Sequence, residues 1–194
     1  MNQMRLVILE TSGMIGGYAL RYMLDHPTIE RVTAIGRRKL GVSHPKLDEV
    51  LHQDFSDCSA LARVISGQDA CVFCLGTYTA TVRDAELRTI TVDYTIEFAR
   101  VLRESSPDAT FSFLSGAGAD QTGRSRMAFA RYKGEAEKGL IAAGFLDVTI
   151  QKREDRGSLV FENRDIRAMV ESPRPSESGG ADPAASSRLD GEKQ

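Results

Sequence analysis

Tryptophan is absent from this sequence, and cysteine and histidine occur only three times each. Three thiols form no disulfide framework, which fits a reducing compartment. Cys71 and Cys74 do stand at a CxxC spacing, but a redox pair of that kind belongs at a helix start. These two lie in the apolar run Ala70 to Leu75, which reads as a strand, where residues three apart point to opposite faces. They read as buried structural thiols. His26, His44 and His52 lack metal-ligand spacing and read as surface residues, so no metal site is expected. Charge of one sign is also lacking. Lysine and arginine total 25 against 27 acidic residues, a net charge of −2 with a pI near 6.0. That excludes the basic excess of a dedicated nucleic-acid binder. No apolar run approaches the roughly 18 residues of a membrane helix. Met1 to Arg5 leads into a stretch too short and wrongly flanked for a signal peptide. A cytoplasmic chain with no nucleic-acid or membrane partner is expected.

What is present is enough for a core: 41% of the 194 residues are apolar and 27% charged. Over the first 150 residues, strand-like runs alternate with helix-like ones. Strands are expected at 5–9, 31–35, 49–52, 70–75, 110–114 and 147–150. Helices are expected at 15–24, 56–65 with Ser56 or Asp57 as N-cap, 87–104 and 125–143. This rhythm predicts an α/β fold, a doubly wound parallel sheet of the Rossmann type, over residues 1–150. Residues 151–170 open on the charge run Gln151 to Arg156 and read as a divergent remnant. Residues 171–194 hold three of the six prolines and one large apolar residue, Leu189, and read as a disordered tail.

Between the first strand and first helix stands Glu10-Thr11-Ser12-Gly13-Met14-Ile15-Gly16-Gly17. Dinucleotide binders need glycines here for a tight turn, for close approach to a pyrophosphate and for helix packing on the sheet. Free N–H groups at the helix start then hold the phosphates. Gly13 and Gly16 occupy the later two glycine positions, although an ordinary strand–helix turn can also contain glycine. Gly36-Arg37-Arg38-Lys39 follows the second strand. An acid there would bond the ribose 2′-hydroxyl of NAD, whereas arginine suits the 2′-phosphate of NADP. The alternative is a solvated basic loop.

In order along the chain come Thr11 to Gly17, Ile35 to Arg38, Asp54-Phe55, Cys74 to Thr77, Val92 to Tyr94, Leu114 to Asp120 and Lys133 to Glu137. This set, over roughly residues 4–150, resembles the atypical short-chain dehydrogenase/reductases, in particular the group similar to Tat-interacting protein. Such chains are often labelled NAD(P)-binding or nucleoside-diphosphate-sugar epimerase-like. The resemblance implies that Thr11, Ser12, Gly13, Met14, Ile15 and Gly16 hold the pyrophosphate, with Arg37 and Arg38 at the 2′-phosphate. Asp54 and Phe55 would border the adenine, while Leu75, Gly76 and Thr77 would pass under the central ribose and phosphates. It assigns Ser115 to orienting a substrate carbonyl and Lys133 to bonding the nicotinamide ribose.

Three departures follow. Glu10 replaces the opening glycine, where it would crowd the turn and bring a carboxylate to the pyrophosphate. Phe129 stands where the reductase tyrosine belongs, four residues before Lys133, and it cannot donate the proton that carbonyl reduction requires. Tyr132 lies about 100° around the helix from Lys133. Finally, the family's Arg-Pro-Gly-like loop is missing after residue 150, as though the substrate lid were truncated or out of frame. The expected function is NADP(H) binding with impaired or non-standard oxidoreductase chemistry on a small carbonyl substrate. The alternative is a non-enzymatic NADPH sensor or interaction module, with a protein partner or homodimer.

Overall fold

The computed structural model describes residues 3–77, 81–116, 118–145 and 148–153. The expected remnant and tail, apart from residues 151–153, lie outside the described residues. Six strands form one parallel sheet: β1 (Met4–Leu9), β2 (Ile29–Gly36), β3 (Leu47–Leu51), β4 (Ala70–Phe73), β5 (Thr110–Gly116) and β6 (Val148–Arg153). Their order across the sheet is β3-β2-β1-β4-β5-β6. The chain reverses its direction of winding between β1 and β4, and that switch point opens a crevice at the carboxyl ends of the strands.

Alternation along each strand builds two cores. Val7, Leu9, Ile35, Cys71, Phe73, Phe111 and Phe113 pack on one face with Phe98, Leu102, Ala136 and Leu140. Those partners come from α3 (Tyr94–Ser105) and α4 (Ala128–Ala142). Leu6, Ile8, Val32, Ala34, Ala70 and Val72 pack on the other face with Ala19, Leu20, Met23 and Leu24 of α1 (Met14–Asp25). Cys71 belongs to the first core and Cys74 packs against the second, so the strand separates the two thiols. Burial pushes the Cys71 thiol up and takes that of Cys74 to about 12.

Several elements depart from the sequence reading. The helix expected at 56–65 is a single 3₁₀ turn, Ser59–Leu61. Asp54 accepts from the Ser56 N–H at 3.0 Å and Asp57 from the Ser59 N–H at 2.9 Å. These side-chain-to-backbone turns hold the start of the segment, and the turn that follows closes with bonds of the 3₁₀ type, Leu61 N–H to the Cys58 carbonyl and Ala62 N–H to that of Ser59. The long helix starts earlier, as α2 (Asp84–Arg88), and passes through a π-helical stretch, Thr89–Asp93, into α3. Helix α4 starts three residues later than position 125, because Asp120 holds the preceding loop by accepting from the N–H groups of Thr122 and Ser125. Strand β6 runs on to Arg153, which places Gln151 to Arg153 in the sheet opposite Leu114 to Gly116. The histidines are half-buried rather than open. The His52 ring lies 5.1 Å from that of Phe55, and the His26 Nδ1 is 2.9 Å from the Thr28 hydroxyl.

Candidate functional site

The first turn has the backbone of a nucleotide-binding loop. Glu10 adopts φ 58°, the left-handed region that normally favours glycine. Its N–H donates to the Ile35 carbonyl at 3.0 Å, which ties the end of β1 to β2. Gly16 then comes so close that a Cβ on it would collide with the Glu10 carbonyl oxygen and lie 3.0 Å from the Thr11 Cα. Only glycine permits that approach. Gly13 caps α1 in an extended conformation, and neither a side-chain cap nor an acidic residue occupies the first turn. The positive end of the helix dipole is therefore presented outward, with Ser12, Gly13 and Met14 exposed and Thr11 buried beneath them.

The Glu10 side chain does not lie over that helix start as the sequence suggested. It turns towards the end of β2, where its Oε2 lies 3.8 Å from Arg37 Nε. Its Oε1 accepts a short hydrogen bond from the Ser12 hydroxyl. Arg38 in turn donates from Nη2 to Ser12 Oγ at 3.3 Å. Both arginines thus reach the first turn, Arg37 through the acid that replaces its glycine and Arg38 through Ser12. A cleft there is lined by Glu10, Thr11, Ser12, Gly36, Arg38 and Glu49, among others.

Beyond β3, Asp54 is exposed, and hydrogen bonds from Ser56 hold its carboxyl below the usual range. Phe55 is 1% exposed, packed against His52 and Tyr94. Its side chain belongs to the core beneath this edge of the sheet. After β4, Leu75 is buried, Gly76 is exposed with nothing within 4 Å of a notional Cβ, and Thr77 is half-buried.

At the end of β5 the geometry separates residues that the motifs had grouped. Ser115 is 5% exposed and donates its hydroxyl to Glu137 Oε1 at 2.6 Å. It lies on the core side of the strand with Phe111 and Phe113, because side chains alternate. The ring at the tyrosine position meets the next residue instead: a Cβ on Gly116 would sit 2.7 Å from Phe129 Cε1. In the free chain Ser115 is therefore a buried hydroxyl engaged by Glu137. Tyr132 is no substitute for the tyrosine, since its hydroxyl donates to Asp84 at 2.7 Å on another face of α4.

Lys133 is buried against the same strand, β5. Its Nζ donates to the Leu114 carbonyl at 2.7 Å and sits 4.4 Å from the centre of the Phe113 ring. Burial lowers its pKa to about 8, opposed by Cys74 and Glu137. Sequence reasoning missed Glu137, which is fully buried and also accepts from Gln121 at 2.6 Å. Its place one turn after Lys133 was the available signal. It missed Gly134 too, where a Cβ would collide with the Asp120 backbone.

No family model matches the chain. It is 28% identical over 146 residues to the mitochondrial protein fmp52 of Emericella nidulans, covering 72% of this chain and 61% of that protein. It is 30% identical over 139 residues to HTATIP2 of Rattus norvegicus, covering 71% and 56%. The chain therefore spans about three-fifths of the length of these relatives. Among solved structures, WbmG of Bordetella bronchiseptica in complex with NAD superposes with a TM-score of 0.62 at 16% identity, over 77% of this chain and 53% of that one. The dTDP-glucose 4,6-dehydratase DesIV of Streptomyces venezuelae, with NAD bound, gives 0.61 at 19%, over 77% and 55%. At those identities the fold alone is shared. Sequence likeness and fold together support an atypical short-chain dehydrogenase/reductase-like Rossmann protein.

Proposed function

We propose that this chain binds a nicotinamide dinucleotide along the carboxyl edge of its sheet, with the 2′-phosphate of NADP(H) directed to Arg37 and Arg38. One observation carries the reading: the left-handed turn at residue 10 and the contact-distance approach of Gly16 together present an uncapped α1 N-terminus outward. Such a terminus accepts a pyrophosphate. The backbone fits the group even though residue 10 is not glycine. In this reading Ser12, Gly13, Met14 and Ile15 hold the diphosphate, with Thr11 and Gly16 shaping the turn. Asp54 borders the adenine end, Leu75, Gly76 and Thr77 form the floor under the central ribose, and Lys133 bonds the nicotinamide ribose. The bound group would supply or accept hydride at its nicotinamide C4.

Reductase chemistry on a small carbonyl compound would be non-standard here. Phe129 holds no proton, and the Ser115 hydroxyl is committed to Glu137. Lys133 is the one cation of the motif set beside the reacting end. These same observations favour a second reading, a binding module that senses NADPH or engages a protein partner without turnover. A cytoplasmic location is part of the proposal. No described helix is long and apolar enough to cross a membrane. The test is NADPH consumption across aldehydes, ketones and nucleotide sugars. Turnover that disappears in Lys133→Ala selects the enzyme, whereas saturable binding without turnover selects the module.

A further inference from the structure

We propose that Glu10 is an internal counter-anion of the 2′-phosphate subsite, and hence a specificity-determining residue. In the free chain its carboxylate faces Arg37 directly and is linked to Arg38 through Ser12. The inference rests on the dinucleotide reading and adds to it how that subsite is governed.

Three features support it. The left-handed backbone at Glu10, pinned to Ile35, delivers the side chain sideways to the end of β2 rather than over the helix start. Its two oxygens are then used differently: Oε1 accepts from Ser12, whereas the buried Oε2 has no hydrogen-bond partner and faces Arg37 Nε at 3.8 Å. Ser12 links the second arginine, so the carboxylate, the hydroxyl and both guanidinium groups form one chain beside the cleft. A phosphate entering between Arg37 and Arg38 meets an acid already there, and Glu49 lines the same cleft. The ion pair is loose, with the Arg37 side chain 58% exposed, so it is displaceable. A ribose carrying only hydroxyls brings no negative charge for the carboxylate to repel. Glu10 therefore weakens the hold on a 2′-phosphate and leaves a plain ribose almost untouched.

Adenosine 2′,5′-bisphosphate and adenosine 5′-diphosphate isolate the two effects, and calorimetry on the full chain reads them. Glu10→Gln should tighten the 2′,5′-bisphosphate about tenfold and the 5′-diphosphate by less than twofold. Combining it with Arg37→Ala should abolish the gain. Glu10→Gly, which suits the backbone, should show the same selectivity should the glutamine variant fold poorly. Equal gains for both probes would mean that Glu10 opposes the diphosphate instead, and no gain would mean that it opposes neither. Either result overturns the inference while dinucleotide binding stands. If wild type and variants bind neither probe nor NADPH nor NADH, the dinucleotide reading falls as well.

Discussion

Lys133→Met tests whether the lysine is buried as a strained cation. The residue is 7% exposed, its ammonium sits against Phe113, and burial lowers its pKa to about 8. In the unfolded chain it returns to 10.5. Between those values the unfolded chain binds more protons than the folded one, so the stability contributed by this group rises with pH from about 8 to 10.5. At pH 7 both states are protonated and the contribution is near zero. By pH 9 the linkage amounts to about 1 kcal/mol. The buried thiols work in the opposite direction above pH 9, because burial raises Cys58 and Cys74 to about 12 and Cys71 well above its ordinary value. Cys58 and Cys71 are common to both proteins, and Cys74, which faces Lys133, titrates near 12, well above the range compared, so the difference between wild type and variant reports the lysine. Urea unfolding at pH 7, 8 and 9 should show wild type gaining about 1 kcal/mol on Lys133→Met across that range. A difference that stays constant with pH, or that falls, would refute the burial argument.

Three further outcomes follow from the same geometry. Gly16→Ala forces a Cβ against the Glu10 backbone. Thermal unfolding should report a loss of about 2 kcal/mol or more, roughly 5 °C in Tm, together with loss of dinucleotide binding. Unchanged melting would show that the turn is looser than described. Ser115→Ala should cost about 1–2 kcal/mol, as Glu137 loses a buried donor, while the dinucleotide Kd stays within twofold. A tenfold change in Kd or turnover would return Ser115 to the reacting site. Arg37→Ala should weaken NADPH several-fold more than NADH in a fluorescence titration, and equal losses would remove the 2′-phosphate assignment.

The fold was readable because apolar periodicity and strand–helix alternation are written locally. Val7, Leu9, Phe111 and Phe113 alternate as strand residues must, and the order of elements leaves few topologies open. The misses came from side-chain competition and long-range packing. Asp54 and Asp57 hold the start of that segment in short side-chain turns, and only one 3₁₀ turn follows. The Gln151 to Arg153 charge run became strand because the edge of β5 supplied hydrogen-bonding partners that composition does not record. At the site, the motif order located the right loops but not the direction of individual side chains. Ser115 and Gly116 are adjacent in sequence and both meet α4, yet Ser115 engages Glu137 while Gly116 lies against Phe129, a division that the motif does not display. Glu10 was visible as an intruder. That it reaches sideways to Arg37 depends on a left-handed φ, which sequence does not display for a glutamate.

The central claim is that the loop between β1 and α1 cradles a dinucleotide diphosphate. Titration of the full chain with NADPH and with NADH, followed by cofactor fluorescence in a protein free of tryptophan, addresses it most directly. The account predicts saturable binding of both, with NADPH the tighter. Absence of saturation with either at millimolar concentration would contradict it.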